Sequence, residues 1–441
     1  MDSTHGRDFQ VPLYNYGHFP LMILVAAMVL CLQIVFGITN GQGLKWDFAN
    51  FYDAGHKVWI GEIHNLYEAT AMIDGKPPQG EMAFYGTPLS AILYAPLAWF
   101  PPHVALVLFK VQNTLANLAG IVLLYWQCRR FGEVSFGSKA LFLALFTTVV
   151  AVYQPFWEIY HIGGQMTPTV FLALVLTLLW HIQGRDYLVA LCFVLAVAIK
   201  PAFVLALAVL TLLSGRRFMT YVAGTGLILG ATSIVWMGWP VHEAFLKRIL
   251  TEIPKPWLYN SSLTVAFDNF RTLLEPRPEQ FPYVVMSTIV RLGISGLFMW
   301  LFVRHRSRIP SGPPRRHLDF LIAITTCLLL MPVVWEHYLA FLFIPLSYCL
   351  AIYPSLPRQA AYLLGIIFLV SVTQHVSIIA WLNSKVYVNG WLDLFVTGLL
   401  KSAPLGLTAL FLIVYRREVT KTYSLPEWGS NPPPQRCCRH D

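Results

Sequence analysis

Residues 19–39 read Phe-Pro-Leu-Met-Ile-Leu-Val-Ala-Ala-Met-Val-Leu-Cys-Leu-Gln-Ile-Val-Phe-Gly-Ile-Thr, twenty-one residues without a charge. As a helix they extend about 30 Å, the hydrocarbon thickness of a bilayer. Similar runs follow at 88–100, 103–126, 141–156, 167–181, 188–213, 219–237, 284–303, 318–334, 338–353, 361–381 and 392–415. Of the 441 residues, 56% are hydrophobic and 12% charged, where a soluble domain carries about 25% charged residues. A soluble enzyme, a DNA-binding protein and a secreted disulfide scaffold are excluded. The pattern predicts an all-α polytopic membrane protein of about 10–12 transmembrane helices. The N-terminus holds Arg7 but no small-residue cleavage site follows the first run, so that run reads as an uncleaved span.

The net charge of +9 reads as the basic excess of cytoplasmic loops, with no nucleic-acid partner implied. Arg304, Arg306, Arg308, Arg315 and Arg316 mark one cytoplasmic segment, and Arg216, Arg217, Arg416, Arg417 and Lys421 agree with it. Two long polar stretches, 40–84 and 238–283, then face the opposite side, the periplasm or outer surface. Domain limits follow: a cytoplasmic N-terminus at 1–17, an integral membrane domain at 18–415 and a disordered cytoplasmic tail at 416–441. Twelve full crossings would leave Arg129 and Arg130 outside. Making 88–100 re-entrant and folding 188–213 back at Lys200-Pro201 removes that conflict and leaves ten full spans, an alternative to the default reading of twelve. Of the seven cysteines, none stands at metal-ligand spacing with histidine.

Several residues carry chemical potential. In 48–59, read as a helix, Phe48, Phe51, Tyr52, Gly55, Val58 and Trp59 share one face and Asn50, Asp53, His56 and Lys57 the other. Such a helix would lie in the interface with its aromatic face in lipid. Asp47 at its start reads as an N-cap or as a general base, and the two roles can coexist. Trp335-Glu336-His337-Tyr338 interrupts apolar sequence, either as a functional break or as a surface turn, and Glu158 with His161-Ile162-Gly163-Gly164-Gln165 is a similar break. Lys200, inside an apolar run, needs an anion or backbone carbonyls at the proline kink. Arg271, after Asn260-Ser261-Ser262-Leu263, has the geometry for bidentate phosphate binding or for plain solvation. There is no phosphate-binding loop, dinucleotide fingerprint or nucleophile elbow. A substrate used outside the membrane would therefore arrive already activated, as a lipid-linked donor does.

Asp47-Phe48, Phe51-Tyr52, Gly61, Leu66-Tyr67, Phe84-Tyr85 and Pro88-Leu89, followed by Gly164-Gln165, Lys200-Pro201, Asn260-Ser261-Ser262-Leu263 to Arg271 and Glu336-His337-Tyr338-Leu339, resemble glycosyltransferase family 87 over roughly residues 45 to 345. The chain departs from the family pattern at Tyr85-Gly86-Thr87-Pro88, at Thr167 and at Glu336. The resemblance implies a GT-C-like bundle, a polyprenyl-phosphate-sugar donor, a hexose such as mannose, a lipid or glycan acceptor hydroxyl, and inversion at the anomeric carbon. Asp47 is then expected to be the base. His337, Arg271 and Lys200 are expected to stabilise the leaving phosphate, and Tyr52, Gln165, Asn260 and Glu336 to contact substrate, with Trp46 and Trp335 bordering the sugar. No cofactor and no metal are expected. A transporter or lipid flippase is the alternative; the absence of an internal repeat and the gathering of polar residues in two loops weigh against it.

Overall fold

A computed structural model describes residues 18–39, 47–68, 84–129, 136–162, 164–251, 260–264, 281–353, 356–373 and 391–421. The chain is an all-α polytopic membrane protein. Helices α1 (Phe19–Thr39), α2 (Asp47–Ile60), α3 (Pro88–Tyr94), α4 (Pro102–Cys128), α5 (Phe136–Val152), α6 (Gln154–Ile162) and α7 (Thr167–Gln183) come first. They are followed by α8 (Asp186–Ile199), α9 (Val204–Ser214), α10 (Arg216–Met237), α11 (Trp239–Thr251) and α12 (Phe281–Arg306). The last are α13 (Pro313–Leu330), α14 (Phe343–Ala351), α15 (Arg358–Thr373), α16 (Trp391–Val414) and α17 (Arg416–Lys421). Among the described residues α1, α4, α10 and a 22-residue stretch of α12 are long and apolar enough to cross a membrane on their own. In α1 the buried residues are Ala26, Gln33 and Gly37. The amide of Gln33 thus turns inward and donates to the Ala151 carbonyl, which gives its N–H a partner that lipid could not.

Side-chain contacts define the two ends of the bundle. At one end Arg306 grips Asp319 with Nε at 2.5 Å and Nη2 at 2.9 Å, and Nη2 also reaches the Leu213 carbonyl at 2.6 Å. Arg316 donates to the His181 carbonyl at 3.2 Å, and Arg217 meets Asp186 at 4.0 Å. The His317 ring lies 5.0 Å from that of Tyr348, and Cys128 contacts Ser347 at 3.5 Å. At the other end Lys110 donates to the Gly37 carbonyl at 2.8 Å and Thr87 to that of Ala198 at 2.6 Å.

These contacts settle how 88–100 and 188–213 run. The first is a seven-residue helix followed by a 3-10 turn, Ala95–Trp99, roughly 20 Å in all and too short to span. The second folds back: Asp186 and Leu213 both lie at the arginine-rich end, whereas Ala198 and Lys200 lie at the opposite one. Lys200 leaves the helix in an extended conformation and Pro201 opens a 3-10 turn, Pro201–Phe203, because a prolyl ring cannot continue α8. The default of twelve through-going segments is therefore corrected at both places. Arg129, next to Cys128, falls at the arginine-rich end; Arg130 lies outside the described residues.

Helix α2 corrects a second expectation. Its aromatic face packs on protein: Phe48 is fully buried with its ring 5.2 Å from Phe109, and Phe51 stacks on Tyr94 at 4.9 Å. The shelf made by α3 and Ala95–Trp99 gives these rings closer partners than lipid does. Gly55 sits so near this shelf that a Cβ would lie 2.5 Å from the Tyr94 carbonyl oxygen. Apart from His56, the exposed part of α2 is its end, where Trp59 meets Trp99 edge-on at 5.5 Å, a pairing suited to an interfacial anchor. Lys57, expected in solvent, is buried, paired with Asp53 at 2.8 Å and donating to the Glu68 carbonyl at 2.8 Å.

Candidate active site

Asp47 opens α2, and the elements around it converge from distant parts of the chain. Gln165, between α6 and α7, donates its side-chain amide to the Asp47 carboxylate. Lys200, at the turn between α8 and α9, is electrostatically coupled to Asp47 and holds its ammonium 4.0 Å from the centre of the Tyr338 ring. The fold-back at Pro201 is what brings this lysine to the site, and Thr87 tethers the end of α8 through the Ala198 carbonyl. His337 and Tyr338 belong to a 3-10 turn, Glu336–Leu342, beyond α13, with their rings edge-on at 4.8 Å. Burial raises the Asp47 pKa, while the Lys200 ammonium and the Gln165 hydrogen bond oppose that rise. A carboxylate so placed is a stronger proton acceptor than an ordinary aspartate yet keeps a positive partner that favours its ionised form.

The close approach of the 164–165 turn to the first turn of α2 explains Gly164. A Cβ there would lie 2.8 Å from the Phe48 backbone nitrogen. That contact is with main chain, so α2 would have to move. Gly164→Ala is expected to displace Asp47 from Gln165 and to lower turnover about 100-fold. Steady-state kinetics beside a thermal melt of the folded variant check this, and unchanged turnover would contradict it.

Other expected site residues have different surroundings. The Tyr52 hydroxyl donates to the Phe100 carbonyl at 2.9 Å and so ties α2 to its shelf. Asn260 spends its side chain on backbone: Oδ1 accepts from Ser262 and Val334, each at 2.9 Å, and Nδ2 donates to the Pro332 carbonyl at 3.2 Å. Glu336 is buried 3.7 Å from Lys401 of α16. Arg271 and Trp46 lie outside the described residues, as do the side chains of Glu158 and His161. Among the described residues no group of three His, Cys, Asp or Glu side chains is placed to hold a metal.

Lys401 escaped the sequence reading, although the signal that flags Lys200, a lysine within an apolar run, applies to it equally. Both it and Glu336 are buried, and breaking such a pair leaves an uncompensated charge at a cost of about 3–5 kcal/mol. Lys401→Met should therefore destabilise the protein strongly, and adding Glu336→Gln should restore most of the loss. Thermal unfolding in detergent across the double-mutant cycle measures this; a double variant that loses the sum of the two single losses would show no coupling.

Helices crossing a bilayer, with a carboxylate, an amide, a lysine and an imidazole gathered at one end of the bundle, define a membrane protein with a buried polar centre at that end. Residues 84–332 match the model of glycosyltransferase family 87, more than half of the chain. The protein belongs to that family and is a membrane glycosyltransferase. Gln165 and Lys200 fall within the matched residues, and Asp47 and His337 flank them. No curated protein matches the chain.

Proposed function

We propose that the protein transfers a hexose, mannose first among the candidates, from a polyprenyl-phosphate donor to an acceptor hydroxyl, with inversion. The observation that carries this reading is the buried Asp47 carboxylate with Gln165 on it and Lys200 coupled to it. Asp47 takes the acceptor hydroxyl proton as its oxygen bonds to the anomeric carbon. The bond from that carbon to the phosphate oxygen breaks, and polyprenyl phosphate leaves with the electron pair. Lys200 and His337, with Arg271 from the second long loop, stabilise the negative charge developing on the leaving oxygen. Tyr338 carries Lys200 on its ring face and so orients the ammonium. Tyr52 and Asn260 hold α2 and the second loop in place, a positioning role in keeping with their backbone partners.

The arginines at the opposite end of the bundle support an active site facing the periplasm or outer surface. On that side a lipid phosphate supplies an activated sugar without a nucleotide. The acceptor is a lipid or a glycan presented at the same interface. Nuclear magnetic resonance of the product tests the chemistry: opposite anomeric configuration to the donor supports single displacement, and retained configuration contradicts it.

A further inference from the structure

The loop at 260–264 and the turn at 332–337 are laced together by main-chain bonds. The Ser261 N–H donates to the Val334 carbonyl at 2.6 Å, Asn260 bridges Trp335 in antiparallel fashion, and the Asn260 side chain clamps both strands. This rigid junction presents buried polar atoms that make no hydrogen bond to any described group: Ser261 Oγ, Ser262 Oγ, both Glu336 carboxylate oxygens and His337 Nε2. Ser261 and Ser262 are fully buried, and Glu336 and His337 are only 3% and 6% exposed. Glu336 meets Lys401 as an ion pair at 3.7 Å, beyond hydrogen-bond reach. Ser261 stands opposite Val334, and Trp335 is extended, so the alternation of an extended pair sets Ser261 and Glu336 on one face.

Buried polar groups are retained when something hydrogen-bonds them. The chemistry of this set is selective. A hydroxyl that both donates and accepts, on the same face as a carboxylate that only accepts, suits vicinal hydroxyl groups. The carboxylate repels phosphate, and the buried polar atoms disfavour an apolar chain. The set continues through His337 to Tyr338 and Lys200, where the donor phosphate is placed by the proposed function, so the group it faces is the sugar attached to that phosphate. The geometry points to a hexose subsite in which Ser261 and Glu336 hold hydroxyls of the donor sugar and set which epimer is accepted. Asn260 and Lys401 are its positioning residues. This inference rests on the lipid-linked-donor reading.

The test uses the full-length protein in nanodiscs with polyprenyl-phosphate-mannose, polyprenyl-phosphate-glucose and sugar-free polyprenyl phosphate as probes. The Ser261→Ala variant and, separately, the charge-balanced Glu336→Gln/Lys401→Met double variant should bind the preferred sugar-bearing lipid about tenfold more weakly, as lost hydrogen bonds predict. Both should bind sugar-free lipid as the wild type does, which also shows that they are folded. Their kcat/KM ratio between the two epimeric donors should move toward one. Wild-type affinity and epimer preference in both variants would overturn the subsite while leaving the donor reading intact. Equal weakening toward both sugar-bearing and sugar-free lipid would overturn it too, since that is a structural effect. A wild type that transfers sugar from neither lipid and does not distinguish them from sugar-free lipid would overturn the donor reading and the subsite together.

Discussion

Asp47→Asn is expected to lower kcat by about three orders of magnitude, within the range that removal of a general base produces, while donor affinity stays close to that of the wild type. Asparagine keeps the volume of aspartate and an oxygen that can accept the Gln165 hydrogen bond. What it lacks is a site for the acceptor's proton. The loss should therefore fall on kcat, and a thermal melt should show a folded protein. The wild type adds a check on the same residue. Burial raises the Asp47 pKa, so the carboxylate takes up a proton at higher pH than an ordinary aspartate. Because only the ionised form can act as base, kcat/KM should fall as pH drops through that raised value. Its acid limb should lie above the usual carboxylate range. A limb within that range, or full turnover by the asparagine variant, would remove Asp47 from the role.

Lys200→Met is expected to lower kcat/KM by about 100- to 1,000-fold, the effect of deleting one group that stabilises developing negative charge. Two effects of Lys200 can be separated. Its ammonium lowers the Asp47 pKa against burial, so its removal should move the acid limb further upward. If that were all, raising the pH would restore full activity. The proposed contact with the leaving phosphate predicts a deficit that persists on the alkaline plateau, with partial recovery in Lys200→Arg, which keeps the charge in a different shape. Complete recovery of Lys200→Met at high pH would confine the lysine to tuning Asp47.

How much of this was legible in the sequence depended on the range of the interaction. The run at 19–39 declares a membrane helix because length and absence of charge are local properties. Asp47, Gln165, Lys200 and His337 stood out individually as polar breaks in apolar surroundings. That they meet follows from the fold-back at Lys200-Pro201 and the 3-10 turn at Glu336–Leu342, which depend on what each segment packs against. The twelve-segment reading missed the fold-back because a 26-residue apolar run has the same composition as one long span or two short helices. The excess of arginine at one end held the clue, since only the folded-back course puts Arg129 there. The aromatic stripe of α2 was correctly seen as a face, but periodicity does not say whether lipid or protein covers it. Tyr52 and Asn260 read as ligand contacts because they stand in motifs, whereas their partners are backbone carbonyls and amides that no motif displays. Lys401 and Glu336 lie 65 positions apart, and their pairing is a product of the fold.

The most direct measurement is stoichiometric. The protein is reconstituted with polyprenyl-phosphate-mannose carrying a radiolabelled sugar and with lipid extract from the host membrane, and labelled product and free polyprenyl phosphate are followed together, for the wild type and for Asp47→Asn. One polyprenyl phosphate released for each sugar transferred by the wild type, and neither by the variant, is the predicted result. Sugar transfer without release of polyprenyl phosphate, or equal transfer by both proteins, would contradict it.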